Sequence, residues 1–538
     1  MNISRFLPAL LLLPTGIQAQ QNRQNEDADP KRPNILCITC EDISPMIHCF
    51  GDSVAVTPHL DHFSEVAIRY SNLHTSVGVS APSRYSLITG RYPSSDCSNH
   101  MRTCARNNPK GIPPYNIIVA PEVRCYTEML REKGYFCTNN PKTDYQFNVP
   151  FAAWDECGKE AHWKHRPEGA PFFAIFNLNV THESRTWVRT NEKLSVNPQD
   201  IQVPPYYPDT PTVRHDMAVV YSNITEMDRQ FQALYDELVE AGELENTIII
   251  WYSDNGGPLP HHKREIYDRG TKVPFMISFP DHYLGGTIVD DLVAFVDIPP
   301  TILSLVGIKP PHYMQGQAFL GKYKASKKRD YVYGARDRMD DKIDKQGYIR
   351  DEHFRYVKNY RPGTPDYLDI TYRLNMPMMN EILEMHEKGQ LNEIQASFFD
   401  LKRPIEEFYD LDQDPLELQN AIDDEKYAKE IARLRKHYDR WIKKYNQNWF
   451  IPEKEYRKRI LPDGTQPQVG IPTMKKKKNT IILETNTPGA TISYRRIGSK
   501  SLIWEIYQHP IKFAPGESIE VIASRIGYIN SDKITYYL

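Results

Sequence analysis

Three short clusters hold side chains that could do chemistry. Glu41-Asp42 and Asp254-Asn255-Gly256-Gly257 each set two oxygen donors side by side. Two such pairs brought together suit a hard cation such as Ca²⁺, which takes roughly six to eight oxygens. No His-rich partner set lies nearby to favour zinc. Taken singly, each pair is more often ordinary turn chemistry, for which Asp-Asn-Gly is a common sequence. The third cluster is Ser80-Ala81-Pro82-Ser83-Arg84-Tyr85-Ser86-Leu87-Ile88-Thr89-Gly90. A hydroxyl opens it, Pro fixes the backbone and Arg84 follows one turn later, which on physics alone is a weak nucleophile signal.

These clusters need elements to hold them. Apolar runs at Ile35 to Thr39, Phe172 to Asn177, Thr247 to Tyr252 and Val273 to Ser278 read as buried strands. Apolar residues at Ile224, Met227, Phe231, Leu234 and Leu238 predict a helix from Ile224 to Gly242, with the glycine as its stop. Such alternation over residues 32–324 argues for a mainly parallel sheet covered by helices on both faces. In such sheets ligands gather beyond the carboxyl ends of strands, where both acidic pairs fall. A second, smaller α+β region spans 325–460, with strands at Tyr331 to Ala335 and around Phe354 to Lys358 and a charged helix from about Glu425 to Lys444. Residues 461–479, with Pro, Gly, Gln and the Lys475 to Lys478 run, read as a linker. Alternation and the turn pairs Pro488-Gly489 and Pro515-Gly516 make 480–538 a small β-sandwich-like domain.

Composition narrows the class. At roughly 150 residues per domain, 538 residues make about three or four units. Lys+Arg of 66 against Asp+Glu of 69 leaves a net charge of −3, so no basic field points to nucleic acid. A hydrophobic share of 40% supports a large core and excludes a mainly disordered chain. The negative mean hydropathy and one short apolar run exclude a polytopic membrane protein. That run, Phe6 to Leu13 after Arg5 and before Pro14, Gly16 and Ala19, reads as a signal peptide over 1–19 and predicts export. Eight cysteines occur, and export permits disulfides without fixing their pairing. Cys37-Ile-Thr-Cys40 sits inside a strand-like run, where residues three apart face opposite sides, so both read as core cysteines.

The Ser80 to Gly90 string resembles the signature of the type I sulfatases: Cys or Ser, any residue, Pro, any residue, Arg, then a Leu-x-Thr-Gly tail. The resemblance runs from about Arg32 to Lys444. It implies an alkaline-phosphatase-like α/β fold and a sulfuric ester hydrolase in which Ser80 is oxidised to formylglycine (3-oxoalanine), the nucleophile. It implies Ca²⁺ held by Glu41, Asp42, Asp254, Asn255 and the residue at 80. Glu41 departs from the usual Asp. Arg84, Lys142, His182 and Lys263 match catalytic positions, Lys142 and Lys263 as sulfate-binding groups and His182 as general acid. Asp144 stands where a His is usual. Ser83 and Tyr85 read as packing or caps; His74, His100, Arg102, Arg106, His261 and His262 flank the site as possible pocket residues. Stretches from Val203 to Asp209 and from Asp228 to Pro260 resemble the heparan N-sulfatases, whereas Lys263 replaces the Arg expected of a strict sulfamidase; O-sulfate therefore stands slightly ahead of N-sulfate. The implied substrate is a sulfated carbohydrate, and the implied setting is the periplasm or cell surface of a bacterium. A Ser-type signature further implies maturation by an anaerobic radical sulfatase-maturating enzyme. Two alternatives stand beside this: a phosphohydrolase or phosphodiesterase of the same superfamily using Ser80 directly, and a non-catalytic sulfated-glycan-binding protein.

Overall fold

The computed structural model describes residues 32–104, 108–498 and 503–538. The expected leader and Arg106 lie outside the described residues. The central sheet comprises β1 (Asn34–Cys40), β2 (Ala67–His74), β3 (Phe136–Asn140), β4 (Glu156–Cys157), β5 (Phe172–Leu178), β6 (Thr247–Ser253), β7 (Lys272–Ser278), β8 (Ile288–Val289) and β9 (Val293–Ala294). Its order is β4-β3-β5-β1-β6-β7-β2-β8, with β9 beside β2. Every pairing is parallel except those of β7 with β6 and β2. A continuous apolar run such as Ile248 to Trp251 is what a strand buried on both faces requires, and β1, β6 and most of β5 are buried along their length.

Alternation along β1 divides the interior in two. Ile35 and Cys37 enter one core, with Phe173, Ile250 and Phe275; Leu36, Ile38 and Cys40 enter the other, with Phe176, Met227 and Phe231. Each fully buried side chain of this size contributes roughly 1.5–3 kcal/mol. Cys37 and Cys40 thus face opposite sides, and all eight cysteines are free. The helix along the second face runs Pro211–Glu240 rather than from Ile224. Its start signal is the Thr210-Pro211 pair: Thr210 Oγ1 accepts the Val213 N–H at 3.2 Å, and Val213, Met217 and Val220 extend the buried stripe upstream. Gly242, at φ +67°, follows its end.

The second region is a four-stranded antiparallel sheet, Val332–Arg336, Gln346–Arg350, Phe354–Asn359 and Glu406–Asp410, packed on the helix Ala428–Tyr445 through Leu434, Tyr438 and Trp441. It braces the chain leading into Ser80: Tyr348 OH donates to the Thr75 carbonyl at 2.9 Å, and Ala335 N–H to that of Ser76 at 3.0 Å.

The carboxyl-terminal region corrects the expected linker. Thr473–Lys477 is a strand, pairing with Thr480–Glu484, which pairs in turn with Ile511–Lys512. It is an edge strand whose exposed lysines discourage further pairing, and Lys475 Nζ meets Glu484 at 2.6 Å. A second sheet of Glu505–Ile506, Thr491–Arg496, Ser518–Ser524 and Ile534–Tyr537 shares one core with the first, including Ile481, Leu483, Ile519 and Val521. This β-sandwich is docked on the larger domain: Arg525 donates to the Val119 carbonyl at 2.8 Å, and a Cβ at Gly527 would stand 2.2 Å from the Ile117 oxygen.

Candidate active site

The carboxyl ends of the adjacent parallel strands β3, β5, β1 and β6 deliver Lys142, Asn177 with His182 and Glu183, Glu41 with Asp42, and Asp254 with Asn255 to one edge. Because β7 runs the other way, its amino end meets the same edge, and the segment leading into it brings Lys263 there. Ser80 opens the helix Ser80–Thr89. Gly78 permits the close approach of these last two segments, since Arg264 N–H donates to its carbonyl at 2.6 Å and a Cβ would lie 2.3 Å from the Glu265 oxygen.

Side chains then interlock. Ser80 Oγ donates to Asn255 Oδ1 at 3.1 Å, and Asn255 Nδ2 donates to Asp42 Oδ1 at 2.8 Å. Asp42 Oδ2 accepts Lys263 Nζ at 2.5 Å and the Glu183 N–H at 2.7 Å. Asp42 itself holds φ +52°, a conformation uncommon outside glycine and a sign of local constraint. Arg84 Nε donates to Asp254 Oδ2 at 2.8 Å and Nη1 to Asn177 Oδ1 at 2.5 Å. Lys142 Nζ stands 2.8 Å from Glu41 Oε1. Both Glu41 oxygens are nevertheless buried without a hydrogen bond of acceptable geometry.

Burial and charge set the protonation states. Burial opposes the Lys263 cation, but Asp42 and Glu183 outweigh it and raise its pKa. The same ion pair pulls Asp42 below the usual carboxylate range against its own burial. His182 is pushed down to about 3 by burial and Lys263, hence neutral near pH 7. Its tautomer follows from geometry: the Ser184 N–H can only donate, and it points at Nδ1 from 3.2 Å. The ring proton therefore sits on Nε2, which lies 3.8 Å from Glu41 Oε2.

All nine expected residues (Glu41, Asp42, Ser80, Arg84, Lys142, His182, Asp254, Asn255 and Lys263) thus meet at one edge. Among the described residues, however, no three His, Cys, Asp or Glu side chains close into a metal cage, because Asp42 turns to Lys263 and Asp254 to Arg84. Asp144 pairs with Arg102 at 3.2 Å in place of a His contact. Sequence reasoning missed Glu183, whose carboxylate holds Arg264 at 2.7 and 2.9 Å, and Asn177. Adjacency to His182 and Lys263 was the available signal for Glu183 and Arg264. A cleft of about 290 Å³ opens here, lined by Arg102, His182, Lys263, Arg264, Asp340 and Tyr372 among others. His261 and His262 are not in its wall: His261 stacks on Phe398 at 3.9 Å, and His262 bonds Tyr206 at 3.0 Å. His74 is buried near Asp268, and His100 is buried between Asp337 and Glu453. Ser83 donates to the Asp254 carbonyl and Tyr85 to Asp96, both structural contacts.

The chain matches the sulfatase family over residues 33–136 and 135–308. It is also 41% identical over 544 residues to an ulvan-active sulfatase of Formosa agariphila, covering 94% of this chain and 91% of that protein. The chain belongs to the sulfatase family. This sulfatase further matches the carboxyl-terminal region of N-sulphoglucosamine sulphohydrolase over residues 260–400. Its identity to the human protein of that name is 24% over 481 residues, covering 80% of this chain and 94% of that one. A solved structure in complex with its substrate, D-glucosamine-2-N,6-O-disulfate, aligns with TM-score 0.56 at 16% identity, over 78% of this chain and 100% of the other. The sulfatase thus has the alkaline-phosphatase-like fold, and it is a sulfuric ester hydrolase with sulfamidase-like parts.

Proposed function

We propose that this sulfatase hydrolyses sulfate esters of a sulfated carbohydrate, with residue 80 oxidised to formylglycine and Ca²⁺ held by Glu41, Asp42, Asp254, Asn255 and residue 80. The observation that carries this reading is the buried meeting of Ser80 with three carboxylates, one amide, two ammonium groups and a guanidinium. Relatives named for ulvan and for N-sulphoglucosamine support a sulfated glycan as substrate, and Lys263 keeps O-sulfate ahead of N-sulfate. The donors are all oxygens, and the buried Glu41 carboxylate accepts no hydrogen bond of good geometry although the Lys142 ammonium stands beside it, which fits a hard cation. When bound, that cation supplies positive charge against the sulfate oxygens. A formylglycine at position 80, once hydrated, would carry two hydroxyls on one carbon: one to bond sulfur as the ester oxygen leaves, the other to lose its proton and reform the aldehyde as sulfate departs.

The chain's own residues do the rest. Lys142 and Lys263 offset the charge that gathers on the sulfate oxygens, and loss of one such contact typically slows turnover by about 10²- to 10³-fold. Arg84, clamped by Asp254 and Asn177, carries a fixed positive charge one turn from residue 80. His182, neutral, donates a hydrogen bond from Nε2–H to the leaving oxygen and steadies the charge there without giving up its proton. The 41% identical relative named as a sulfatase favours this reading over a serine-based phosphohydrolase. Export to a bacterial periplasm or surface and maturation by a radical enzyme complete the proposal. The test is release of sulfate from defined sulfated mono- and disaccharides by protein co-expressed with a maturase, beside the matching phosphate esters. Sulfate release that disappears in Ser80→Ala with an unchanged melting temperature is expected; faster phosphate than sulfate release would overturn it.

A further inference from the structure

The catalytic cleft is not alone among the described residues. A groove of about 1020 Å³ runs between the main sheet and the β-sandwich, walled by Pro141, Thr143, Phe151 and Trp154 on one side and Trp504 and Asn530 on the other. Trp504 is fixed there: Arg131 donates to its carbonyl at 2.8 Å, and its ring meets Phe151 edge-on with centroids 4.9 Å apart. Lys533 Nζ lies 5.5 Å from the Trp504 ring centre and 5.7 Å from that of Phe151. It is exposed and has no carboxylate partner among the described residues. Arg495 also covers Trp504, at 5.0 Å, while held by Glu520. The two acids in the wall already have partners, Asp155 the Arg131 guanidinium at 2.8 Å and Glu156 the His165 ring at 2.9 Å.

Aromatic rings beside an unpaired ammonium recognise a ligand with an apolar C–H face and an anionic substituent. A sulfated sugar ring has both. Pro141 and Thr143 in its wall are the sequence neighbours of Lys142, whose ammonium faces Glu41. We propose that this groove binds a stretch of sulfated polysaccharide apart from the sulfate that reacts, so that the β-sandwich tethers the enzyme to polymer. The proposal rests on the sulfated-glycan reading above.

The test measures binding of ulvan and of heparin, each with its chemically desulfated counterpart, to the full chain carrying Ser80→Ala to prevent turnover. Trp504→Ala and Lys533→Glu are expected to weaken binding of at least one sulfated polymer by about 10-fold. In the active protein both should raise KM for that polymer while leaving release from a sulfated monosaccharide unchanged. Should Trp504→Ala lower the melting temperature, the surface variant Lys533→Glu decides alone. Polymer binding unaltered by Lys533→Glu, or equal losses on polymer and monosaccharide, would overturn the proposal. Weakened polymer binding by a protein that releases no sulfate would leave the groove standing and sink the catalytic reading instead.

Discussion

Glu183→Gln probes the charge network most sharply, because Glu183 lies outside every motif yet joins three of its members. Its carboxylate grips Arg264 at 2.7 and 2.9 Å and stands 3.5 Å from Lys263, and its N–H supports Asp42. All of these groups are buried. Removing one partner of a buried pair strands the other, which costs about 3–5 kcal/mol. At about 2 °C per kcal/mol for a large domain, the melting temperature should fall by about 6–10 °C. Lys263 and Asp42 should also lose their registration, and misplacement by ~1 Å can cost about 10²-fold in turnover. Differential scanning calorimetry and sulfate release measure the two effects. The cycle with Arg264→Gln separates the pair from general damage: the double variant should be less harmed than the sum, by about 0.5–3 kcal/mol of coupling. Additive effects, or a single variant with unchanged melting and turnover, would refute the network.

Two further perturbations follow. Asp216 is buried against the Met378 N–H (2.7 Å), and burial raises its pKa to about 6 from 3.8. A carboxyl whose folded value is raised loses stability as pH climbs from about 4 to 6, by on the order of 2–3 kcal/mol. Asp216→Asn should therefore gain in melting temperature relative to wild type between pH 4 and 7, and a pH-independent difference would contradict the assignment. Stripping divalent cations with EGTA should abolish sulfate release and lower the melting temperature, with both restored by Ca²⁺; a site filled at 100 times its Kd contributes about 2.7 kcal/mol. Full activity in protein without metal by elemental analysis would remove Ca²⁺ from the account.

Legibility in the sequence tracked how local each determinant was. Ile248 to Tyr252 announced its strand because a run buried on both faces is apolar throughout, and Asp254-Asn255 followed directly. The Ser80 string was readable as a motif, whereas its geometry was not: the approach of Lys263 depends on Gly78 and on the reversed direction of β7. Glu183 and Asn177 act through partners distant in sequence, so no local pattern reveals them. His261 and His262 show the converse. They precede Lys263, but His261 holds φ +66° and Arg264 φ +77°, and these turns send the imidazoles toward Phe398 and Tyr206 instead of the cleft. Thr473–Lys477 reads as a linker in the sequence because an exposed edge strand needs few apolar residues; of its side chains only Met474 packs on the sandwich core.

The central claim is chemical and lies in one side chain. Mass spectrometry of the peptide carrying residue 80, from active protein made with a maturase, should find it lighter by two hydrogens than the serine form, in proportion to specific activity. Unmodified serine throughout a fully active preparation would contradict the account.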